Sequence, residues 1–492
     1  MKNMHIPQSR GPKSAGQTSS GGARRLRLSA MTVAALLVAG CTSFVPDYQR
    51  PAAPVAASFP FDNTGASAIA AADLAWQQFF QDARLKQLIG LALQNNRDLR
   101  VAVLNIEQAR AQLQVKRSDE LPTVNVGASG TRQPNTSGNG ISSVYTAGFL
   151  VTGYELDFFG RVRALSQAAQ AQLLGTEEAR KTVQISLVAS VASTYLSLLA
   201  DDELLRVARD TLDSRDQSLK LTKLRFDQGV SSELDYRQAE SLTEAARVAL
   251  AQSTRQRALD ENALVLLLGQ PLPVDTAAAL PAGLPLTGQG LLDNLPAGIP
   301  SELLARRPDV RQAEQQLLAA NANIGAARAA FFPRITLTGS VGSASTELSS
   351  LFHSGSFGWT FAPQLVLPIF DAGRNQANLD ASKVGRDIAT AQYEKAIQSA
   401  FREVADALAS RTTLAEQLRA QTAQTNALET TLRLTDLRYR NGAANYFEVL
   451  DAQRSVFAAR QAVVQLQLLQ TQNLVSLYKV LGGGWKEVPA TP

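Results

Sequence analysis

The sequence predicts a mainly α-helical protein that carries a small set of membrane-type β-strands and is built from two similar halves. A stretch at 219–239 recurs at 432–452, which indicates the duplication. Two runs of about 68 residues, 161–228 and 374–441, contain no proline and lead into these stretches, which indicates long helices. Each half also contains two segments in which apolar and polar residues alternate, the pattern of strands with one apolar face.

The first forty residues have the features of a secretion signal. They hold six basic residues and no acidic ones, and without those six the formal charge of the chain falls from +5 to −1. The basic surplus therefore belongs to a targeting segment, and no nucleic-acid partner is expected. An apolar run of about 13 residues, too short to span a bilayer, ends at Cys41, the only cysteine. Residues 37–41 (LVAGC) resemble a bacterial lipobox, which makes Cys41 the predicted lipidation site.

The strands follow a proline in each half, Pro122 and Pro333. Each half has a first alternating run, a polar gap (133–140 and 343–355) and a second alternating run. Their apolar positions are Val124, Val126 and Ala128, then Tyr145, Ala147, Phe149 and Val151; and Ile335, Leu337, Gly339 and Val341, then Phe357, Trp359, Phe361, Leu365, Leu367 and Ile369. Runs of about ten residues suit tilted transmembrane strands. Hairpins on a soluble sheet are the alternative interpretation.

Each long run is expected to form a helix on the order of 100 Å in length. Apolar residues recur every seven positions in the first run, from Val191 to Phe226, and less regularly in the second, which is typical of coiled-coil packing. Gly229 and Gly442 end the two runs and are expected to reverse the chain. Shorter helices then return over 232–268 and 444–481.

The predicted organisation follows from these boundaries. It comprises a signal peptide (1–40), a lipid anchor and extended tether (41–72), an equatorial and an upper helix (73–121), strand pair 1 (122–157), the first hairpin (161–269), a linker (270–300), an upper helix (301–332), strand pair 2 (333–370), the second hairpin (374–482) and a tail (483–492).

Several motifs resemble those of the outer-membrane efflux factors, the TolC-like channel-tunnel family, and most closely its OprM-like lipoproteins. They are the lipobox, PDYQRP at 46–51, YELDFFGR at 154–161, LLARRPD at 303–309, AARAAFFP at 326–333, LDAQR at 450–454 and LGGGW at 481–485. The resemblance covers 41–485.

The resemblance implies a homotrimer in the outer membrane, with four strands per chain in one 12-stranded barrel and a long periplasmic α-helical barrel. It also implies export of drugs and other small molecules with an inner-membrane RND transporter and a periplasmic adaptor (a membrane fusion protein). The chain's own pattern supports oligomerisation, since four strands are too few to close a barrel alone. No cofactor or metal is expected beyond a covalent lipid, such as palmitate, on Cys41.

The second hairpin tip is the predicted periplasmic gate. Phe447 and Asp451 are four residues apart and Glu448 and Asp451 three, so the spacing places them on one helical face. The resemblance implies that Glu448 and Asp451 form an acidic ring, that Phe447 is an apolar plug and that Tyr439 links neighbouring hairpins. Ala444 stands where TolC has an arginine, so gate-linking roles are expected for Arg225, Asp235 and Arg438. The alternative is that Glu448 and Asp451 are ordinary solvated helix residues.

Other functions receive less support from the sequence. An enzyme is not expected, because His5 lies in the signal segment, His353 lies in a predicted surface loop, and no metal-ligand spacing or phosphate-binding glycine loop is present. A lipid-anchored coiled-coil scaffold would explain the helices but not the strands. A conduit for protein secretion or metal export is the alternative within the channel class.

Overall fold

The computed structural model describes residues 43–61, 71–134, 138, 140–272, 283–291 and 305–486. The predicted signal peptide, Cys41, most of the 270–300 linker and the end of the tail lie outside these residues. The described chain divides into two compact units. One contains 119–164 and 324–376 and holds the strands, and the other contains 47–118, 165–323 and the chain from 377 onwards and is helical.

The helices and strands repeat in the order that the duplication predicts. The first half holds α1 (Trp76–Phe79), α2 (Ala83–Asn95), α3 (Arg97–Ser118), β1 (Val124–Pro134), β2 (Ile141–Leu156), α4 (Arg161–Asp227) and α5 (Glu233–Leu268). The second holds α6 (Pro308–Ala329), β3 (Arg334–Ser345), β4 (Phe357–Val366), α7 (Arg374–Arg440) and α8 (Tyr446–Val480). The long helices α4 and α7 have the same length, 67 residues.

The strands form one antiparallel sheet in the order β1-β2-β3-β4, with β1 and β4 at its edges. One face carries large apolar side chains, because Val126, Phe149, Val341 and Trp359 are paired across the four strands. The other face carries mostly small and polar ones, together with Leu150. Among them is the hydrogen-bonded pair Ser340 and Thr360, whose hydroxyl oxygens are 2.7 Å apart. Trp359 is 73% exposed in the single chain, so the apolar face has no cover there.

A row of four glycines crosses the polar face. Gly127, Gly148, Gly342 and Gly358 are successive partners in the register of the four strands. A Cβ on Gly342 would lie 2.2 Å from the carbonyl oxygen of Ala147, so the strands approach too closely there for any side chain. A groove of about 500 Å³ lies along this row.

Two details of the strands differ from the prediction. Leu367 and Ile369 lie outside β4, which ends at Val366, because Val366 is paired with Arg334, the first residue of β3. The polar gaps are shorter than predicted, since β1 continues through Pro134 and β3 through Ser345. Strand pairing uses main-chain groups, so polar side chains such as Gln133, which is paired with Ser142, extend the ladder without an apolar signal.

The helical unit has an aromatic core. Phe79 stacks on Tyr478 with ring centroids 4.1 Å apart, and the Tyr478 hydroxyl donates to the carbonyl oxygen of Leu74 at 2.6 Å. Asp82 is fully buried, caps α2 and accepts a hydrogen bond of 3.0 Å from the Tyr195 hydroxyl. Helix α4 contains an apolar window long enough to cross a membrane, but 61% of it is buried within the protein, as in a core helix.

The predicted tether is extended but attached to the protein. In the unit that holds the strands, Phe44 stacks on Phe332 at 4.5 Å. In the helical unit, Arg50 forms a bidentate ion pair with Glu314, with N–O distances of 2.7 and 2.9 Å, and the Tyr48 hydroxyl donates to the same carboxylate. Proline and alanine content indicated only an extended tether and not its attachment, because these aromatic and charged anchors are isolated in the sequence.

Candidate functional site

The two hairpin tips are built alike. Gly229 and Gly442 adopt φ values of 71° and 73°, the left-handed conformation that ends a helix. The following N–H groups, of Val230 and Ala443, donate back to the carbonyl oxygens of Arg225 and Arg438 at 2.8 and 2.9 Å. The chain therefore reverses within a few residues at both positions.

Each return helix begins with a capping box, a reciprocal pair of hydrogen bonds between the N-cap residue and the third helical residue. In α8 the Asn445 side chain accepts from the Glu448 N–H at 3.0 Å, and the Glu448 carboxylate accepts from the Asn445 N–H at 3.3 Å. In α5 Ser232 and Asp235 make the corresponding bonds. Two predicted gate residues, Glu448 and Asp235, thus occupy equivalent positions of the duplication, and each completes the capping box of its return helix.

Arg225 and Tyr439 connect the two hairpins. The guanidinium of Arg225 donates to the Tyr439 hydroxyl at 2.7 Å and lies 5.4 Å from the centre of its ring. Tyr439 in turn packs on Tyr446, with ring centroids 5.3 Å apart. Burial raises the pKa of Tyr446, which lies beneath the tip with Val449 and Leu450 in a small apolar cluster.

Arg438 stabilises the second tip through two contacts within its own hairpin. Its guanidinium donates to the carbonyl oxygen of Ala443 at 3.0 Å and lies 4.0 Å from the Glu448 carboxylate. The corresponding first-tip residue, Arg225, reaches across to Tyr439. The structure thus brings Arg225 to Tyr439 and Arg438 to Glu448, whereas Asp235 bonds to the Ser231 hydroxyl at 3.1 Å and stays within its own hairpin.

Phe447, Glu448 and Asp451 lie on the outer face of the first turns of α8. Phe447 is 56% exposed, and its side chain is an apolar group presented at the tip. The Asp451 carboxylate is 3.8 Å from the guanidinium of Arg454, a contact between two exposed groups that contributes little to stability. Sequence reasoning missed Arg454 and the caps Ser232 and Asn445, although the three-residue spacings that indicate them were present.

The tips can therefore act mechanically. An exposed apolar side chain and two carboxylates stand at the end of a hairpin that is attached to its neighbour through Arg225 and Tyr439. Such an arrangement can block or open a passage but provides no group positioned for covalent chemistry. Long hairpins with this tip and a four-stranded membrane-type sheet define a channel subunit.

The comparisons with known proteins identify the family. The family model described as outer membrane efflux protein matches residues 88–270 and 299–483, and the chain belongs to that family. The solvent efflux pump outer membrane protein SrpC of Pseudomonas putida is 47% identical over 471 residues, which cover 94% of this chain and 99% of that protein. The antibiotic efflux pump outer membrane protein ArpC of Pseudomonas putida is 46% identical over 470 residues, which cover 94% of this chain and 96% of that protein.

A solved structure has the same fold. The open state of the MtrE outer membrane channel of Neisseria gonorrhoeae is 43% identical, superposes with a TM-score of 0.83 and covers 90% of this chain and 99% of that chain. The predicted fold class is confirmed: the chain is one subunit of a trimeric channel-tunnel of the outer membrane. Its family also confirms that it is an efflux channel component and not an enzyme or a coiled-coil scaffold.

Proposed function

We propose that this protein is the exit duct of a tripartite efflux pump for apolar and amphipathic small molecules, including antibiotics and organic solvents. The similarity to SrpC and ArpC over nearly the whole chain carries this proposal, because their names specify solvent and antibiotic efflux. An inner-membrane RND transporter and a periplasmic adaptor supply the substrate, and the homotrimer conducts it outwards.

A deletion strain tests the substrate class. Loss of the gene should raise susceptibility to a panel of apolar antibiotics and to toluene, and a plasmid copy should restore resistance. Sensitivity to copper or silver salts alone would instead favour a metal-export conduit. Unchanged susceptibility to every compound, with the partner pump expressed, would contradict the proposal.

The lipid on Cys41 is a second part of the proposal. The docking of Phe44 on Phe332 holds the chain three residues beyond Cys41, so an acyl chain such as palmitate would enter the outer membrane at a fixed place. Mass spectrometry of the mature protein should find Cys41 acylated at the N-terminus, and Cys41→Ser should abolish the acylation. An unmodified N-terminus upstream of Cys41 would refute it.

The periplasmic gate is the third part. In a trimer, threefold symmetry turns Phe447, Glu448 and Asp451 of α8 into rings around the axis. Phe447 then acts as an apolar plug, and the two acidic rings attract cations. Arg225 and Tyr439 link the two hairpins in the closed state, Arg438 stabilises the second tip and Asp235 stabilises the first.

Planar-bilayer recordings test the gate. Glu448→Gln with Asp451→Asn should weaken cation selectivity and divalent block while keeping side chains of the same shape at the cap. Phe447→Ala should raise the basal conductance. Wild-type selectivity and block in the double variant would exclude the acidic rings.

A further inference from the structure

The guanidinium of Arg215 is buried between the two hairpins. Arg215 lies on α4 and is 5% exposed. One of its nitrogens donates to the carbonyl oxygen of Leu242 on α5 at 2.8 Å, and its guanidinium carbon lies 5.2 Å from the centre of the Phe457 ring on α8. Its Nε–H has no hydrogen-bond partner within the described part of the chain. The cation is thus held by one carbonyl and one aromatic face.

The nearby carboxylates are already paired with other arginines. Asp216 lies 3.1 Å from Arg247, and Glu429 lies 2.7 Å from Arg460. Asp210 is 3.5 Å from Arg206. Burial and the charge of Arg454 lower the pKa of Arg215, yet an arginine side chain remains protonated in proteins. A buried charge without a counter-charge is costly, so this position favours an anion.

A cavity of about 80 Å³ adjoins Arg215. Asp210, Thr211 and Ser214 of the first hairpin and Gln453 and Arg460 of the second line it. The Asp210 carboxylate is 58% exposed to solvent and is paired with Arg206. This volume exceeds that of a single water molecule several times. The side-chain oxygen of Gln453 is buried without a hydrogen-bond partner, and exchange of the amide oxygen and nitrogen would turn N–H donors towards the space. The Thr211 hydroxyl already donates to the carbonyl oxygen of Val207 at 2.7 Å, so guanidinium and amide N–H groups are the main donors left for an anion.

We propose that this cavity binds a small inorganic anion of the size of chloride, which neutralises Arg215 and links the first hairpin to the second. The site lies about 20 Å from the Gly229 turn along α4, on the same hairpins as the proposed gate. The anion site is separate from the proposed gate, since its contacts come from α4 and α8 and not from the tip residues. The site does not depend on which solutes the channel exports.

Thermal unfolding of the purified full-length trimer tests the site. The protein is exchanged into sodium gluconate and titrated with sodium chloride at constant ionic strength and protein concentration. Wild-type protein should show a saturable rise in unfolding temperature, because a ligand that binds the folded state stabilises it. Arg215→Met should lose this rise and should unfold in gluconate at a temperature no lower than the wild type, since it removes an uncompensated charge. Arg419→Met, at an exposed arginine, is the matched control and should keep the rise.

A chloride response of equal size in wild type and Arg215→Met would overturn the proposal, because it would be a bulk salt effect. Crystals of the wild-type trimer soaked in sodium bromide give a second measurement that needs no variant. An anomalous bromide peak within hydrogen-bond distance of Arg215 supports the site. Ordered water alone in the cavity would overturn it, even if Arg215→Met fails to fold.

Discussion

Tyr439 joins the hairpins through its hydroxyl group, which accepts from Arg225 at 2.7 Å. Tyr439→Phe removes this hydrogen bond and keeps the ring that packs on Tyr446. A bond to a charged group at a half-buried position contributes about 1 kcal/mol, so the equilibrium between closed and open tips should shift about fivefold towards the open state. Single-channel recordings should show a correspondingly higher open probability.

The control for Tyr439→Phe is Arg237→Gln, which removes an exposed arginine from α5 of the first hairpin. It should leave the open probability unchanged. An unchanged open probability in Tyr439→Phe would mean that the hairpins are held together by other contacts.

Asp201 provides a pH-dependent contribution to the stability of the helical unit. Burial, together with the facing carboxyl groups of Asp260 and Asp202, raises the pKa of Asp201 to about 7, although Arg257 opposes this. Between its ordinary value of 3.8 and about 7, the folded protein holds a proton that the unfolded chain has lost. The contribution of this group to the free energy of unfolding is therefore largest below about pH 4. It decreases as the pH rises to about 7, by at most about 1.4 kcal/mol per pH unit.

Asp201→Asn carries a neutral side chain at every pH and should remove this slope. Thermal unfolding followed by circular dichroism at pH 4.5 and 7.5 should show a smaller difference between the two values in Asp201→Asn than in wild type. Asp213→Asn, at an exposed position of the same helix, should behave as wild type. Equal pH dependence in all three proteins would contradict the raised pKa.

At the scale of single residues, the sequence predicted which residues share a helical face but not which distant side chains they contact. The spacing of Phe447, Glu448 and Asp451 was sufficient to place them on one face of α8, since helical geometry is local. The contact of Arg225 with Tyr439 joins residues 214 positions apart, and no local pattern specifies such a pair. Arg215 was not singled out for the same reason, because its burial depends on how two hairpins pack.

Among the elements, the glycine row of the sheet provides the sharpest test of packing. Gly342→Ala would place a Cβ 2.2 Å from the Ala147 carbonyl oxygen and 2.5 Å from the Gly148 Cα. The strands would have to separate, at a cost of about 1–3 kcal/mol per subunit. We expect less heat-modifiable trimer in membrane extracts analysed by gel electrophoresis.

Gly138→Ala is the control, because a Cβ at Gly138 meets no atom of the same chain within 4 Å and Gly138 lies in the β1–β2 connection, not on an edge strand. The same single methyl group is added, and trimer yield should equal that of wild type. A normal yield of Gly342→Ala trimer would mean that the close approach of β2 and β3 is not required for assembly.

The elements also differ in how strongly the sequence specified them. Helices α4 and α7 have long proline-free runs that end at glycine, and both end within two residues of the predicted boundary. The strands were recognised by alternation, but their ends were not, because ladder hydrogen bonds ignore side-chain polarity. Prolines did not locate the end of β4 either, since Pro363 lies within this edge strand and is paired with Leu337.

For the whole molecule, the orientation in the membrane can be tested by labelling a strand connection and a hairpin tip. We predict that the β3–β4 connection faces outside the cell and that both tips face the periplasm. Ser354→Cys should react with an impermeant maleimide on intact cells, and Ala443→Cys should react only after the outer membrane is permeabilised. Both side chains are exposed, and the hydrogen bonds of Ala443 at the tip use its main chain, so neither change should disturb folding. The reverse labelling pattern would refute this orientation.

The glycine row limits how the barrel can select among solutes. At that level the four glycines carry no side chains, and the Leu150 side chain lies over Gly127 on the same face. Three subunits with this face inward would surround a passing solute with a surface that carries no charge. Such a segment can select solutes by size but not by charge, and a substitution of these glycines adds atoms and narrows the bore. Selection by charge must then occur at another level of the pump.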